Sequence, residues 1–171
     1  MYSWLKEKFN GSTKNCPLRA SLLIRNVLVA VDGSENSDRA LDFALDLAEK
    51  FGASFTILNV SESLAMGAVP QESATYPSGS TAVLAKDLRA IQNELVSRNV
   101  SHAIAVMPNL PVSSMLKEGD AALEIVNVAK DGGFDVIVVG HRGSGKMRER
   151  LLGSISEKVA HNAPCPVVIV K

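Results

Sequence analysis

The chain has 171 residues, of which 46% are hydrophobic. It is long enough for one domain with a substantial hydrophobic core and an appendage, and too short for two such cores. Eighteen acidic and eighteen basic residues cancel, which gives no overall charge that favours nucleic acid, an anionic membrane surface or a strongly acidic partner. Neither cysteine has a metal-binding spacing, and no apolar run resembles a membrane span or a signal peptide, so we expect a cytoplasmic protein with reduced thiols.

The first 26 residues differ in charge from the rest of the chain. They carry five Lys or Arg against the single acid Glu7, a net charge of +4 that leaves −4 for the remainder. The only tryptophan, Trp4, and three apolar or aromatic neighbours could form one side of a short amphipathic helix. We interpret residues 1–24 as a basic arm that either contacts a partner or a membrane surface, or packs on its own domain or stays mobile. Residues 25–171 form the predicted domain.

From Asn26 onward, short β-branched runs alternate with stretches of helical period, which predicts a parallel sheet covered by helices. The predicted strands are residues 27–31, 55–60, 102–107, 136–139 and 167–170. The first predicted helix follows the first strand and ends at Gly52. Two more span about 81–98 and about 120–130, and the fourth begins at Ser154.

Three connections carry information of their own. Residues 61–80 indicate a loop longer than compact domains usually keep without a functional reason. The proline-interrupted segment 108–119 is assigned to neither a helix nor a strand. Ser154 and Glu157 have the spacing of a capping box, which predicts the start of the fourth helix.

The segment from Gly140 to Ser154 has the composition of a phosphate site. Glycines allow close approach of a phosphate to backbone N–H groups and tolerate positive φ, and a helix start adds free N–H groups. The basic residues in the segment favour a polyphosphate over a neutral ligand, and they are Arg142, Lys146, Arg148 and Arg150. The alternative is a solvated loop with ordinary turn glycines.

Two motifs compete for these glycines. Gly140 to Lys146 matches the first part of a P-loop, but Met147 replaces the hydroxyl residue that would bind Mg²⁺. Gly140, Gly143, Gly153 and Ser154 together match the G-x2-G-x9-G-[ST] motif, and in this the chain resembles the ATP-binding universal stress proteins. The resemblance covers residues 25–171 and excludes the basic arm.

That resemblance implies a doubly wound, open, five-stranded parallel sheet of order 3-2-1-4-5 with helices on both faces, and a homodimer built on the last strand. It places a nucleotide in the crevice between the first and fourth strands, where open α/β sheets bind ligands. The candidate binding residues are Val31, Asp32, Val60, Val139, Gly140, Arg142, Gly143, Gly153, Ser154 and Ile155.

Each candidate has an implied role. The main chain of Val31 and Val60 would meet adenine, Asp32 the ribose or adenine edge, and Val139 with Gly140 the ribose and phosphates. The glycines of the loop and the residues that begin the fourth helix would take the phosphates. Asp32 could instead cap the first helix, and Ser154 could cap the fourth.

The leading hypothesis is a protein that binds ATP, or AMP or ADP, either alone or together with Mg²⁺ or Mn²⁺. It would act as a nucleotide-dependent stress-response or signalling module whose protein partner is unknown. The alternatives are a slow metal-dependent ATP hydrolase and a dimeric interaction module that binds no nucleotide. We predict no catalytic residue and no dedicated metal ligands. His141, in the loop, is more typical of a solvated turn than of a catalyst.

Overall fold

The computed structural model describes residues 24–61, 80–143 and 152–171. Five parallel strands form one sheet in the order β3-β2-β1-β4-β5, which confirms the predicted fold class. The strands are β1 (Asn26–Ala30), β2 (Ser54–Ser61), β3 (Val112–Glu118), β4 (Val136–Gly140) and β5 (Val167–Val170). The helices are α1 (Glu35–Phe51), α2 (Ser80–Val106), α3 (Ala121–Asp131) and α4 (Ser154–Asn162).

The sheet is buried on both faces because its central strands are apolar at consecutive positions. On one face, Val27 and Val29 of β1 pack with α1 and with Ala103 of α2. On the other face, Leu28 of β1 and Ile137 of β4 pack with α3 and α4. The two cores therefore lie on opposite faces of the same strands.

Helix α1 begins and ends at residues suited to those positions. The Oγ of Ser34 accepts a hydrogen bond from the N–H of Ser37, and Gly52, the predicted stop, ends the helix in the left-handed conformation. Phe51, the last residue of the helix, is 49% exposed.

The sequence prediction is wrong between α2 and α3. Residues 102–107, predicted as the third strand, belong almost entirely to α2, and the third strand lies in the segment 108–119 that was left unassigned. Asn99 and Ala103 are both buried one helical turn apart, so the helical packing continues past Arg98. Strand β3 is recognised by its parallel pairing with β2 and not by burial, since six of its seven residues are exposed.

The two edges of the sheet differ. The β3 edge ends in Lys117 and Glu118, and Glu118 pairs with Arg89 at 2.9 Å. The β5 edge consists of Val167–Val170, and all four side chains are apolar and half-buried. Within the described ranges, no helix has the length and apolar composition needed to cross a membrane. The predicted long loop at 61–80 lies outside the described residues, except for its two ends.

Candidate functional site

A cavity of about 310 Å³ opens at the carboxyl ends of β1 and β4. These strands are neighbours, with Ala30 opposite Val139, and the chain order reverses between them. All ten predicted binding residues line this cavity: Val31, Asp32, Val60, Val139, Gly140, Arg142, Gly143, Gly153, Ser154 and Ile155. Their contact with a nucleotide stays a prediction, but the fold brings them to one place.

One wall of the cavity is apolar. Val60 and Val139 were predicted there, and the structure adds Leu58 and Ile125, which sequence analysis did not select. Ile125 lies on the inward face of α3 and is 3% exposed. Its apolar position in the predicted third helix indicated burial, but nothing in the sequence indicated that it would also border a cavity.

Asp32 organises the turn between β1 and α1. Its Oδ1 accepts hydrogen bonds from the N–H of Ser34 at 3.0 Å and from the Oγ of Ser34 at 2.6 Å. Because Ser34 is the residue that caps α1, the alternative in which Asp32 caps this helix is wrong. The other oxygen, Oδ2, lies toward the loop: a Cβ atom placed on Gly143 would be 2.5 Å from it.

Two glycines of the motif lie close to the backbone of neighbouring residues. A Cβ on Gly140 would lie 2.9 Å from the backbone of Asn36 in α1, and a Cβ on Gly153 would lie 3.1 Å from the carbonyl oxygen of His141. None of Gly140, Gly143 and Gly153 has a φ in the left-handed region, although glycine would tolerate one. A side chain at Gly140 is therefore excluded by space and not by backbone torsion, and at Gly153 the neighbouring backbone would have to shift slightly.

The N-terminus of α4 opens into the same cavity without a side-chain cap. Gly153 is the N-cap residue, and the N–H of Glu157 bonds to its carbonyl oxygen at 2.9 Å. Ser154 is therefore the first residue inside the helix, and the predicted capping box is wrong. The N-termini of α1 and α3 are capped by Ser34 and Asp120. Helix α4 thus presents first-turn N–H groups that no side chain caps.

Hydrogen bonds hold both described ends of the loop between Gly140 and Gly153 in place. The N–H of Gly153 bonds to the carbonyl oxygen of His141 at 2.8 Å, and Asn36 donates to the carbonyl oxygen of Arg142 at 3.2 Å. Ser156, 4% exposed, donates its hydroxyl to the carbonyl oxygen of Gly140 at 2.7 Å. Ser156 could not be selected from the sequence, because a serine near the start of a helix does not indicate a hydrogen bond to a distant carbonyl oxygen.

His141 lies beside the site and does not line the cavity. Burial lowers the pKa of its imidazole, and the positive charge of Arg142 lowers it further. Lys146, Arg148 and Arg150, predicted to favour a polyphosphate, lie outside the described residues, as does Met147. Over the three described ranges, no three His, Cys, Asp or Glu side chains group closely enough to hold a metal ion.

Comparisons with known proteins agree with this geometry. The sequence model of the universal stress protein family matches residues 23–171. Universal stress protein YxiE of Bacillus subtilis is 34% identical over 154 residues, which cover 87% of this chain and 100% of YxiE. A universal stress protein of Methanothermobacter thermautotrophicus is 34% identical over 151 residues, which cover 87% of this chain and 97% of that protein.

Two solved structures share the fold. Universal stress protein UspA from Lactobacillus plantarum has a TM-score of 0.70 at 24% identity, over 86% of this chain and 98% of UspA. A universal stress protein solved in complex with cAMP has a TM-score of 0.60 at 25% identity, over 87% of this chain and 98% of that one.

Proposed function

The chain belongs to the universal stress protein family, and on that premise we propose that it binds an adenine nucleotide in the cavity between β1 and β4. One observation carries the proposal: an apolar wall, a carboxylate and an uncapped helix N-terminus all border the same cavity. Its volume of about 310 Å³ lies in the usual range of ligand pockets, roughly 300 to 1,000 Å³. The relative that was solved with cAMP supports this class of ligand.

The apolar wall suits the nucleobase. Leu58, Val139 and Ile125 offer aliphatic surface to a flat ring, and burial of apolar area is worth about 25 cal/mol per Å². The ring edge needs polar partners, which the main chain of Val31 and Val60 would supply. The carbonyl oxygen of Val31 already accepts a bond from Asn59 at 2.7 Å, and a carbonyl oxygen can accept two.

Asp32 suits the sugar. An ionised carboxylate only accepts hydrogen bonds, and ribose hydroxyls are donors. Its Oδ1 is held by Ser34, which fixes the orientation of the whole group at the mouth of the cavity. A fixed acceptor loses little conformational entropy when the ligand binds.

The N-terminus of α4 suits the phosphates. Aligned peptide dipoles give a helix start a partial positive charge, and its free N–H groups point along the axis toward an anion. Ser154, Ile155 and Gly143 border the cavity at this point, together with Arg142. Three further basic residues in the loop sequence favour ATP over AMP. Mg²⁺ or Mn²⁺ would then be held mainly by the phosphates.

Calorimetric titration with ATP, ADP, AMP and cAMP, with and without Mg²⁺, tests this proposal. Gly153→Val should weaken binding of the phosphorylated ligands by about 100-fold, since the lost anion contacts are charge-assisted hydrogen bonds worth about 1.5–3 kcal/mol each. Ala160→Val, on the exposed side of the same helix, is the matched control and should bind as the wild type does. Unchanged affinity in a folded Gly153→Val protein contradicts the proposal.

The biological role that follows is a nucleotide-dependent stress-response or signalling module, located in the cytoplasm. Binding would order the loop between Gly140 and Gly153 and so change the surface offered to a protein partner. A homodimer through the apolar β5 edge accompanies this role, since unpaired apolar edges tend to be covered. Metal-dependent ADP release by the wild type that is lost in Asp32→Ala would favour a slow hydrolase instead.

A further inference from the structure

Helix α1 exposes an apolar surface that no element of the described structure covers. Phe43, Leu47 and Phe51 are spaced four residues apart and therefore lie along one side of the helix. Phe43 is 42% exposed and Phe51 is 49% exposed, while Leu47 is half-buried against the core. We call these three residues the α1 stripe.

The α1 stripe lies on the flank of α1 that faces away from α2. The opposite flank is occupied by ion pairs to α2, between Asp38 and Arg98 and between Asp42 and His102. Helix α1 also contacts β4 and β5, whereas α2 contacts β2 and β3. The stripe therefore borders the sheet on the side of β4 and β5.

The chain enters the domain close to this stripe. Ile24 packs against the same core cluster as Leu47. The N–H groups of Arg25 and Asn26 donate to Asp135, directly before β4, which fixes the start of the described chain at the amino end of the sheet. The carbonyl oxygen of Arg25 also accepts the N–H of Ser54 at 2.7 Å, only three residues after Phe51.

The 23 residues that precede Ile24 are long enough to cover the stripe. An extended chain spans about 3.3 Å per residue, so this segment reaches about 75 Å at most. Phe43 lies eight residues from Phe51, a distance of about 12 Å along the helix axis at 1.5 Å per residue. Length therefore places no restriction on docking.

The sequence of residues 1–23 complements helix α1 in charge and in apolar content. Residues 1–23 contain four basic residues against Glu7, and they include the aromatic residues Tyr2, Trp4 and Phe9. Helix α1 contains five acidic residues against two basic ones. Asp46 and Glu49 form no ion pair with the described part of the chain, and the C-terminal end of a helix also attracts positive charge. The family match begins at residue 23, so the segment is an addition to the shared domain.

We propose that residues 1–23 dock on the α1 stripe of the same chain. In this arrangement the aromatic side chains of the segment cover Phe43 and Phe51, and its basic residues lie beside Asp46 and Glu49. This docking site is separate from the nucleotide cavity. The cavity lies at the carboxyl ends of the strands, whereas α1 ends near their amino ends, just before β2 begins.

Trp4 allows a direct test in the full-length chain, since it is the only tryptophan. We expect acrylamide to quench its fluorescence several-fold less than that of a free tryptophan amide, independently of protein concentration. Phe43→Ser and Phe51→Ser should each increase the quenching at least twofold, and so should high salt. Ile91→Ser, which replaces a 62% exposed residue on α2, is the matched control and should leave the quenching unchanged.

Five results would overturn the proposal, provided that circular dichroism and the melting temperature show folded variants. Trp4 could be fully accessible in the wild type. Its protection could survive both serine substitutions, or be lost equally in Ile91→Ser. Protection that grows with protein concentration, in step with sedimentation, would identify a second copy as the occupant. Protection that appears only with phosphatidylserine vesicles would identify a membrane surface.

Discussion

Replacement of Gly143 by alanine should disturb the site through Asp32. The new Cβ would lie 2.5 Å from the Oδ2 of Asp32, closer than real Cβ atoms approach an oxygen. The carboxylate must therefore move. Its Oδ1 is held by two hydrogen bonds from Ser34, at 3.0 and 2.6 Å, so the movement costs these bonds as well as the proposed ribose contact.

The expected loss of nucleotide affinity follows from the contact that is displaced. A hydrogen bond to a charged group is worth about 1.5–3 kcal/mol. At about 1.4 kcal/mol for each factor of ten, Gly143→Ala should raise the Kd for ATP about 10- to 100-fold in a calorimetric titration. Gly133→Ala is the control: its Cβ meets nothing within 4 Å, but its φ is +60°. That variant should lose about 1 kcal/mol of stability and no affinity.

A double substitution tests whether the effect passes through Asp32. In the Asp32→Ala background the obstructing carboxylate is absent, so adding Gly143→Ala should cost little further affinity. Interacting residues show such non-additivity, whereas independent ones do not. If Gly143→Ala raises the Kd by the same factor in both backgrounds, the carboxylate is not the cause and this explanation is refuted.

Three further predictions concern stability and assembly. Asp120→Ala removes the N-cap of α3 and should cost about 1 kcal/mol in urea unfolding at pH 7. The bond from the N–H of Leu123 lowers the pKa of Asp120, so this contribution is present above the ordinary pKa and should disappear as the pH falls through the lowered one. Leu41→Ala in the core should cost about 2–5 kcal/mol, while Leu123→Ala, 58% exposed, should cost under about 0.5. Val168→Glu should convert the proposed homodimer to monomers in sedimentation, and an unchanged profile of the folded variant would exclude the β5 interface.

Most of the fold could be predicted because its central strands are buried on both faces. Strands β1, β2, β4 and β5 are apolar runs that end at glycine, proline or polar residues, and the predicted bounds differ from the observed ones by at most one residue. Strand β3 could not be found in this way. It is held by backbone pairing with β2 while its side chains stay exposed, so its sequence carries little hydrophobic signal.

The location of the site was also predictable, and its local geometry was not. The glycine spacing led to the family resemblance, the resemblance implied ten candidate residues, and all ten line one cavity. The roles of single atoms depend on neighbours far apart in sequence. Gly140 is required by the backbone of Asn36, and Ser156 is held by Gly140, contacts that no local pattern encodes.

The two edges of the sheet differ in composition, and this limits the number of chains that could join edge to edge. An open sheet has two terminal strands, and growth into a filament requires both to accept another chain. Here β5 is apolar, but β3 carries Lys117 and the ion-paired Glu118. If two β5 strands pair as proposed, the apolar edge of each described sheet is used up, so assembly by this route stops at two.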